Sequence, residues 1–154
     1  MGALEELKNK LSEKFGDKIK LSEDKRGVLW IECDVSDFKE ILAFLCELGY
    51  SHLSTITALD HLEENKFALI YHILSFENHP KIPICLRTYI NRDSPEIETV
   101  LDIYPHALVY EREVFDLMGI KFKGHKGLKR LLIPEDAPED YHPLRKDYKI
   151  EVGD

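Results

Sequence analysis

The 154-residue sequence predicts an α+β two-layer sandwich, with helices covering one face of a sheet and an extended arm at the C-terminal end. Two observations predict it. Apolar spacing alternates between helical and strand periods in the order helix, strand, strand, helix, strand, strand, strand, and then gives one more helical segment before residue 120. Beyond Phe122 the periodic signal stops and prolines recur, so the chain divides into an α+β domain over residues 1–120 and an extended arm over residues 121–154.

The first helix places Leu4, Leu7, Leu11 and Phe15 on one face and stops at Gly16. Lys18 to Glu23 and Gly27 to Cys33 then read as strands around a charged turn. In the second, Leu29, Ile31 and Cys33 alternate with Val28, Trp30 and Glu32. Ser36 is placed to cap a second helix that carries Phe38, Ile41, Leu42, Leu45 and Cys46 and ends at Gly49. His52 to Leu59, Phe67 to Phe76 and Ile82 to Ile90 are strand-like, and the polar stretches Glu63–Lys66 and Glu77–Lys81 suit antiparallel turns between them. Ser94-Pro95-Glu96 has the cap, N1 proline and first-turn acid of a helix start. A helical run from His106 to Met118 follows, with Val114, Phe115, Leu117 and Met118 on its apolar side and Gly119 as its stop.

Composition narrows the function. Hydrophobic residues at 44% and charged residues at 32% support a soluble core, and the net charge of −8 opposes nucleic acid or anionic lipid as a partner. No apolar run approaches the roughly 18 residues of a membrane span, and no signal-peptide core opens the chain, so a cytoplasmic location is expected. Cys33, Cys46 and Cys85 are far apart and form no C-x-x-C, which argues against an iron–sulfur cluster or zinc knuckle in this chain. The histidines form neither H-x-x-x-H nor H-E-x-x-H. Gly119 to Lys126 is a near miss for a phosphate loop: His125 interrupts the required Gly-Lys-Ser/Thr, and a helix precedes the glycines.

The arm has an irregular charge pattern. Lys121, Lys123, Lys126, Lys129 and Arg130 form a basic block without an acid, Glu135, Asp136, Glu139 and Asp140 reverse it, and Arg145 and Lys146 reverse it again. A solvated terminus accounts for those charges and for Pro134, Pro138 and Pro143. It does not account for the Leu131-Leu132-Ile133 knot or the Pro143-Leu144 pair, which an arm lying on another protein would use. On the last helix, Glu111, Arg112 and Glu113, with Asp116, cannot all face solvent, because helix neighbours point about 100° apart. At least one of them turns toward the domain or a partner.

Three motifs carry a resemblance. They are Glu111-Arg112-Glu113-Val114-Phe115-Asp116-Leu117-Met118-Gly119-Ile120-Lys121-Phe122-Lys123-Gly124-His125, then Leu128-Lys129-Arg130-Leu131-Leu132, then His142-Pro143-Leu144-Arg145-Lys146-Asp147-Tyr148. Together they resemble the 30-kDa subunit family of respiratory complex I, which includes small subunits of membrane-bound, energy-converting [NiFe] hydrogenases. Phe67 to Ser75 is similar to a strand of that family. Two departures lean toward the hydrogenase branch. Gly124-His125-Lys126-Gly127-Leu128 stands where many respiratory members read Gly-His-Pro-Asp-Leu, and Leu131 to Asp136 is a Leu-Leu-x-Pro-Glu-Asp run; a C-terminal extension of many bacterial respiratory members is also missing.

The resemblance implies a cofactor-free, non-catalytic subunit in the peripheral arm of an ion-translocating oxidoreductase at the cytoplasmic face of the membrane. It would sit against a [NiFe]-type large subunit, with iron–sulfur clusters and a possible NiFe centre held by partner subunits. The expected interface is Glu111, Arg112, Glu113, Asp116, His125, Arg130, His142, Pro143, Leu144, Arg145, Lys146, Asp147 and Tyr148, with Arg145 and Lys146 facing acids of the partner. Equivalent subunits of quinone-reducing, NADH or F420H2 dehydrogenases and of sulfur-reducing complexes are the alternative. An independent metal enzyme using His125, His142 and Asp147, and a transient assembly module, are the remaining readings.

Overall fold

The structure, a computed structural model, describes residues 2–75, 81–125, 142 and 144–146. Helix α1 (Ala3–Phe15) is followed by strands β1 (Ile19–Glu23) and β2 (Leu29–Cys33), helix α2 (Phe38–Glu47), and strands β3 (His52–His61), β4 (Lys66–Leu74) and β5 (Ile84–Asn91). Strand β6 (Glu96–Glu98), helix α3 (Ala107–Met118) and strand β7 (Lys121–Lys123) complete the described elements. The α+β sandwich and its element order through β5, with α3 after it, are those the periodicity predicts.

The main sheet has five strands in the order β1-β2-β5-β4-β3, antiparallel except where β2 pairs with β5. That parallel pair requires the chain to cross over through α2 and return by the β3–β4–β5 meander. Period-two alternation decides which side chains meet the helices. Leu29 and Ile31 of β2, Phe67, Leu69, Tyr71 and Ile73 of β4, and Ile84, Leu86 and Ile90 of β5 share one core with Leu7, Leu11 and Phe15 of α1 and Phe38, Ile41, Leu42 and Leu45 of α2. On the opposite face Trp30 meets Arg87 at 5.3 Å, and Arg87 bonds Glu32 at 2.8 Å across the parallel pair.

Two local readings differ from the structure. α2 begins at Phe38 with Asp37 at its N-cap and no side-chain cap bond, so Ser36 does not cap it. Ser94-Pro95-Glu96 opens β6 instead of a helix: Glu96, Ile97 and Glu98 pair in parallel with Lys121, Phe122 and Lys123. The acids missing beside the basic block are thus supplied across strands, with Lys123 at 3.4 Å from Glu96. Phe122 is 3% exposed and joins the core, so the folded body continues past residue 120 into the segment read as arm.

One buried hydroxyl in the core is Tyr71's. Tyr71 is fully buried against Phe38, with ring centroids 5.5 Å apart, and its hydroxyl has no hydrogen-bond partner among the described residues. Burial pushes its phenol well above the usual range, and the Glu111 charge adds to that. Removing an unsatisfied buried hydroxyl while keeping the ring relieves its desolvation cost. Tyr71→Phe is therefore expected to leave stability unchanged or raise it by about 1 kcal/mol. A urea denaturation series checks this; a loss above that size would mean the hydroxyl is bonded.

Candidate functional site

The motif-bearing segment is organised around α3. Ala107, Glu111, Val114 and Met118 are buried, and their spacing puts them on one helical face. Glu111 thus occupies a core position as the member of the charged triplet that turns inward. Its carboxylate accepts from Thr99 Oγ1 at 2.5 Å and from the Val100 amide at 2.9 Å, tying the chain after β6 to α3. Burial raises the Glu111 carboxyl above its ordinary range; the Thr99 and Val100 bonds and the charges of His125 and Lys39 oppose this. His125 Nε2 stands 3.9 Å from Glu111 Oε1 and 3.4 Å from the Leu108 carbonyl, with its side chain buried.

The C-terminal end of α3 shows why the first and third motifs belong together. A helix leaves its last carbonyls without intrahelical donors. Here the Gly119 amide bonds Phe115 O at 2.8 Å, and His142 Nδ1 lies 3.4 Å from Asp116 O. The Leu144 amide bonds Leu117 O at 3.2 Å, and Arg145 Nε bonds Met118 O at 2.7 Å. Residues 142 and 144–146 therefore form a strap across the helix terminus, where a guanidinium also favours the negative end of the helix dipole. Gly119 makes room for it: φ is +76°, and a Cβ there would stand 2.6 Å from His142 Nε2 and 2.9 Å from Arg145 Nη2.

The strap continues onto β3. The Lys146 amide bonds Asp60 Oδ2 at 2.8 Å, and Arg92 donates to both Asp60 oxygens at 2.8 and 3.1 Å. The guanidinium carbons of Arg92 and Arg145 lie 5.5 and 5.2 Å from the centroid of the Phe67 ring. Burial pushes the Asp60 carboxyl up. The Arg92 and Lys146 bonds and the charges of Arg92 and Arg145 outweigh burial, so the net shift is downward. A buried carboxylate thus holds both the end of the sheet and the strap.

The expected interface residues separate into distinct roles. Glu111 and Asp116 are fully buried, His125 is buried, and Arg112 and His142 are half-buried. Glu113, Leu144 and Lys146 are exposed, Leu144 by 59%. Arg145, expected to face acids on a partner, is engaged by this chain's own α3 and Phe67. Arg130, Pro143, Asp147 and Tyr148 lie outside the described residues. Sequence reasoning missed Asp60 and Arg92 as functional groups. The signal for Asp60 was its register: Ile56 and Asp60 are both buried and lie on the same strand face, opposite Tyr71 and Phe67 of β4.

The site's chemistry is that of a clasp. His125 reaches toward Leu108 and His142 toward Asp116, eight helix positions further on, which is roughly 12 Å along the axis. They do not converge on one ion, and among the described residues no group of three His, Cys, Asp or Glu side chains could hold a metal. Burial, with Asp37, Asp34 and Glu32 nearby, pushes Cys33 up to about 12, and burial also raises Cys46 and Cys85. Cys33 and Cys85 lie on opposite faces of the sheet.

In sequence and in fold the chain is similar to known proteins. Residues 31–152 match the family model described as respiratory-chain NADH dehydrogenase, 30 Kd subunit. The chain is 39% identical over 117 residues to a subunit of the NADH-quinone oxidoreductase of Moorella thermoacetica, covering 73% of this chain and 76% of that one. It is equally identical over 117 residues to a subunit of the F(420)H(2) dehydrogenase of Methanosarcina mazei, covering 75% and 72%. In Acinetobacter baylyi, an NADH-quinone oxidoreductase protein whose name, C/D, joins two subunits matches 94% of this chain at 34% identity through 25% of its own length. Among solved structures, a chain of the membrane-bound sulfane sulfur reductase, an archaeal respiratory membrane complex, superposes with a TM-score of 0.86. The identity is 27%, covering 97% of this chain and 87% of that one.

Proposed function

The chain belongs to the respiratory-chain NADH dehydrogenase 30 Kd subunit family, and from that premise we propose that it is the cofactor-free scaffold of a complex I-like oxidoreductase, docked by its strap onto the large subunit. Membership makes it a subunit of a membrane-bound respiratory complex, and no helix among the described residues is long and apolar enough to cross a membrane. It is a peripheral subunit, here assigned to the cytoplasmic face.

The observation that carries the docking role is the strap itself. His142, Leu144 and Arg145 are bonded to the end of α3, and Lys146 to Asp60, while the Leu144 side chain is 59% exposed. Fixing a backbone residue costs on the order of 1–2 kcal/mol, and for these positions that cost is met within the chain itself. A partner then meets a preformed ledge with Leu144 outward, and Arg145 acts by holding the ledge in place. The Acinetobacter protein, whose name joins two subunits in one polypeptide, supports a lasting neighbour over a transient assembly role.

In this reading electrons pass through iron–sulfur clusters in other subunits, beside a large subunit of [NiFe] descent. The redox couple is accordingly a property of the partners. Relatives named as NADH-quinone oxidoreductase and F(420)H(2) dehydrogenase subunits and a sulfane sulfur reductase neighbour favour those assemblies; a hydrogenase assignment rests on the sequence departures at Gly124 to Leu128 and Leu131 to Asp136. Affinity isolation of the tagged chain from detergent-solubilised membranes tests the proposal. Stoichiometric recovery of a large subunit and iron–sulfur subunits is expected, and recovery of the chain by itself would overturn it.

A further inference from the structure

Independently of that reading, an exposed histidine fastens α3 to the sheet. His106 is the N-cap residue of α3, and its Nε2 accepts the Leu53 backbone N–H at 2.8 Å. Leu53 is fully buried near the start of β3, the edge strand against which α3 packs. A ring nitrogen that accepts an amide hydrogen bond carries no proton, so this bond exists only with the neutral imidazole, in the Nδ1–H tautomer. The rings packed against it offer no compensation for a charge. His52 stacks on His106 with ring centroids 5.3 Å apart and planes within 10°, and Tyr104 meets it edge-on at 5.9 Å. The Tyr104 hydroxyl is turned away, donating to Tyr50 O at 2.9 Å. The helix N-terminus at His106 is itself the positive end of the α3 dipole.

We infer that the His106–Leu53 bond is an acid-labile fastening between α3 and edge strand β3, released when His106 takes a proton. Protonation removes the acceptor, leaves the Leu53 amide without its partner, and sets a cation against the helix dipole and a second titratable ring.

Nitrogen-15 NMR of the full chain tests this directly. At pH 8 His106 is expected in the Nδ1–H tautomer with a correlation between Nε2 and the Leu53 amide; at pH 5 that correlation is expected to vanish. The unfolding equilibrium constants of wild type and His106→Gln are then compared at both values. Glutamine retains an acceptor that does not titrate. Wild type is expected to lose about fivefold more than the variant between pH 8 and pH 5, the equivalent of one net hydrogen bond. The Nε2–H tautomer at pH 8, or a bond that persists at pH 5, would overturn the inference whether or not the variant folds. So would equal pH dependence in the two proteins.

Discussion

Asp60→Ala is expected to destabilise the chain by about 3 kcal/mol and to release the strap. The Asp60 side chain is 1% exposed and that of Arg92 11%, so removing the carboxylate breaks a largely buried two-bond ion pair and deletes the acceptor of the Lys146 amide. The pH dependence has a definite sign. Asp60 titrates below its ordinary value when folded, so its contribution is complete above the unfolded carboxylate's value near 3.9. It is lost as pH falls through the lower folded value. Asp60→Asn, which keeps one acceptor oxygen but no charge, should lack that acid-side loss. Urea midpoints and amide exchange at Lys146 measure the two effects. A loss below about 1 kcal/mol, typical of exposed pairs, would mean Asp60 is not the anchor described.

Gly119→Ala is expected to cost about 3 kcal/mol, and a control separates its causes. At φ +76° an alanine strains the backbone, as it also would at Gly27, where φ is +81°. Nothing stands within 4 Å of a Cβ at Gly27, so Gly27→Ala reads the strain alone, about 1–2 kcal/mol. At Gly119 the new methyl also meets His142 and Arg145, which cannot yield without loosening their contacts with Asp116 O and Met118 O. The excess of Gly119→Ala over Gly27→Ala therefore reports the strap. Equal losses from the two substitutions would show that the strap does not press on this position.

The elements were legible in the sequence because local periodicity and burial agree for them. α1, α2 and β1 to β5 follow apolar spacing that needs no knowledge of distant partners, and Gly119 marks the end of α3 in a left-handed conformation. What escaped was settled by contacts far apart in sequence. Glu96, Ile97 and Glu98 form a strand only because Lys121, Phe122 and Lys123 pair with them, so a local helix-start signal at Pro95 is overridden. The same pairing brings Phe122 into the core. In the site, the inward turn of the charged triplet was readable from helical geometry, although its partners, Thr99 and Val100, were not. The strap's contacts were not readable: Asp60 lies 86 positions from Lys146, and no local pattern couples them.

The most direct measurement is recovery of the large subunit with tagged Leu144→Asp from solubilised membranes, alongside the stability of the isolated variant. Leu144 is 59% exposed, and its amide, not its side chain, bonds Leu117, so the free chain should unfold as wild type does. If the ledge docks as proposed, a carboxylate at its apolar contact costs about 2 kcal/mol or more and lowers recovery of the large subunit by roughly tenfold or greater. Undiminished recovery with a correctly folded variant would contradict docking through the strap.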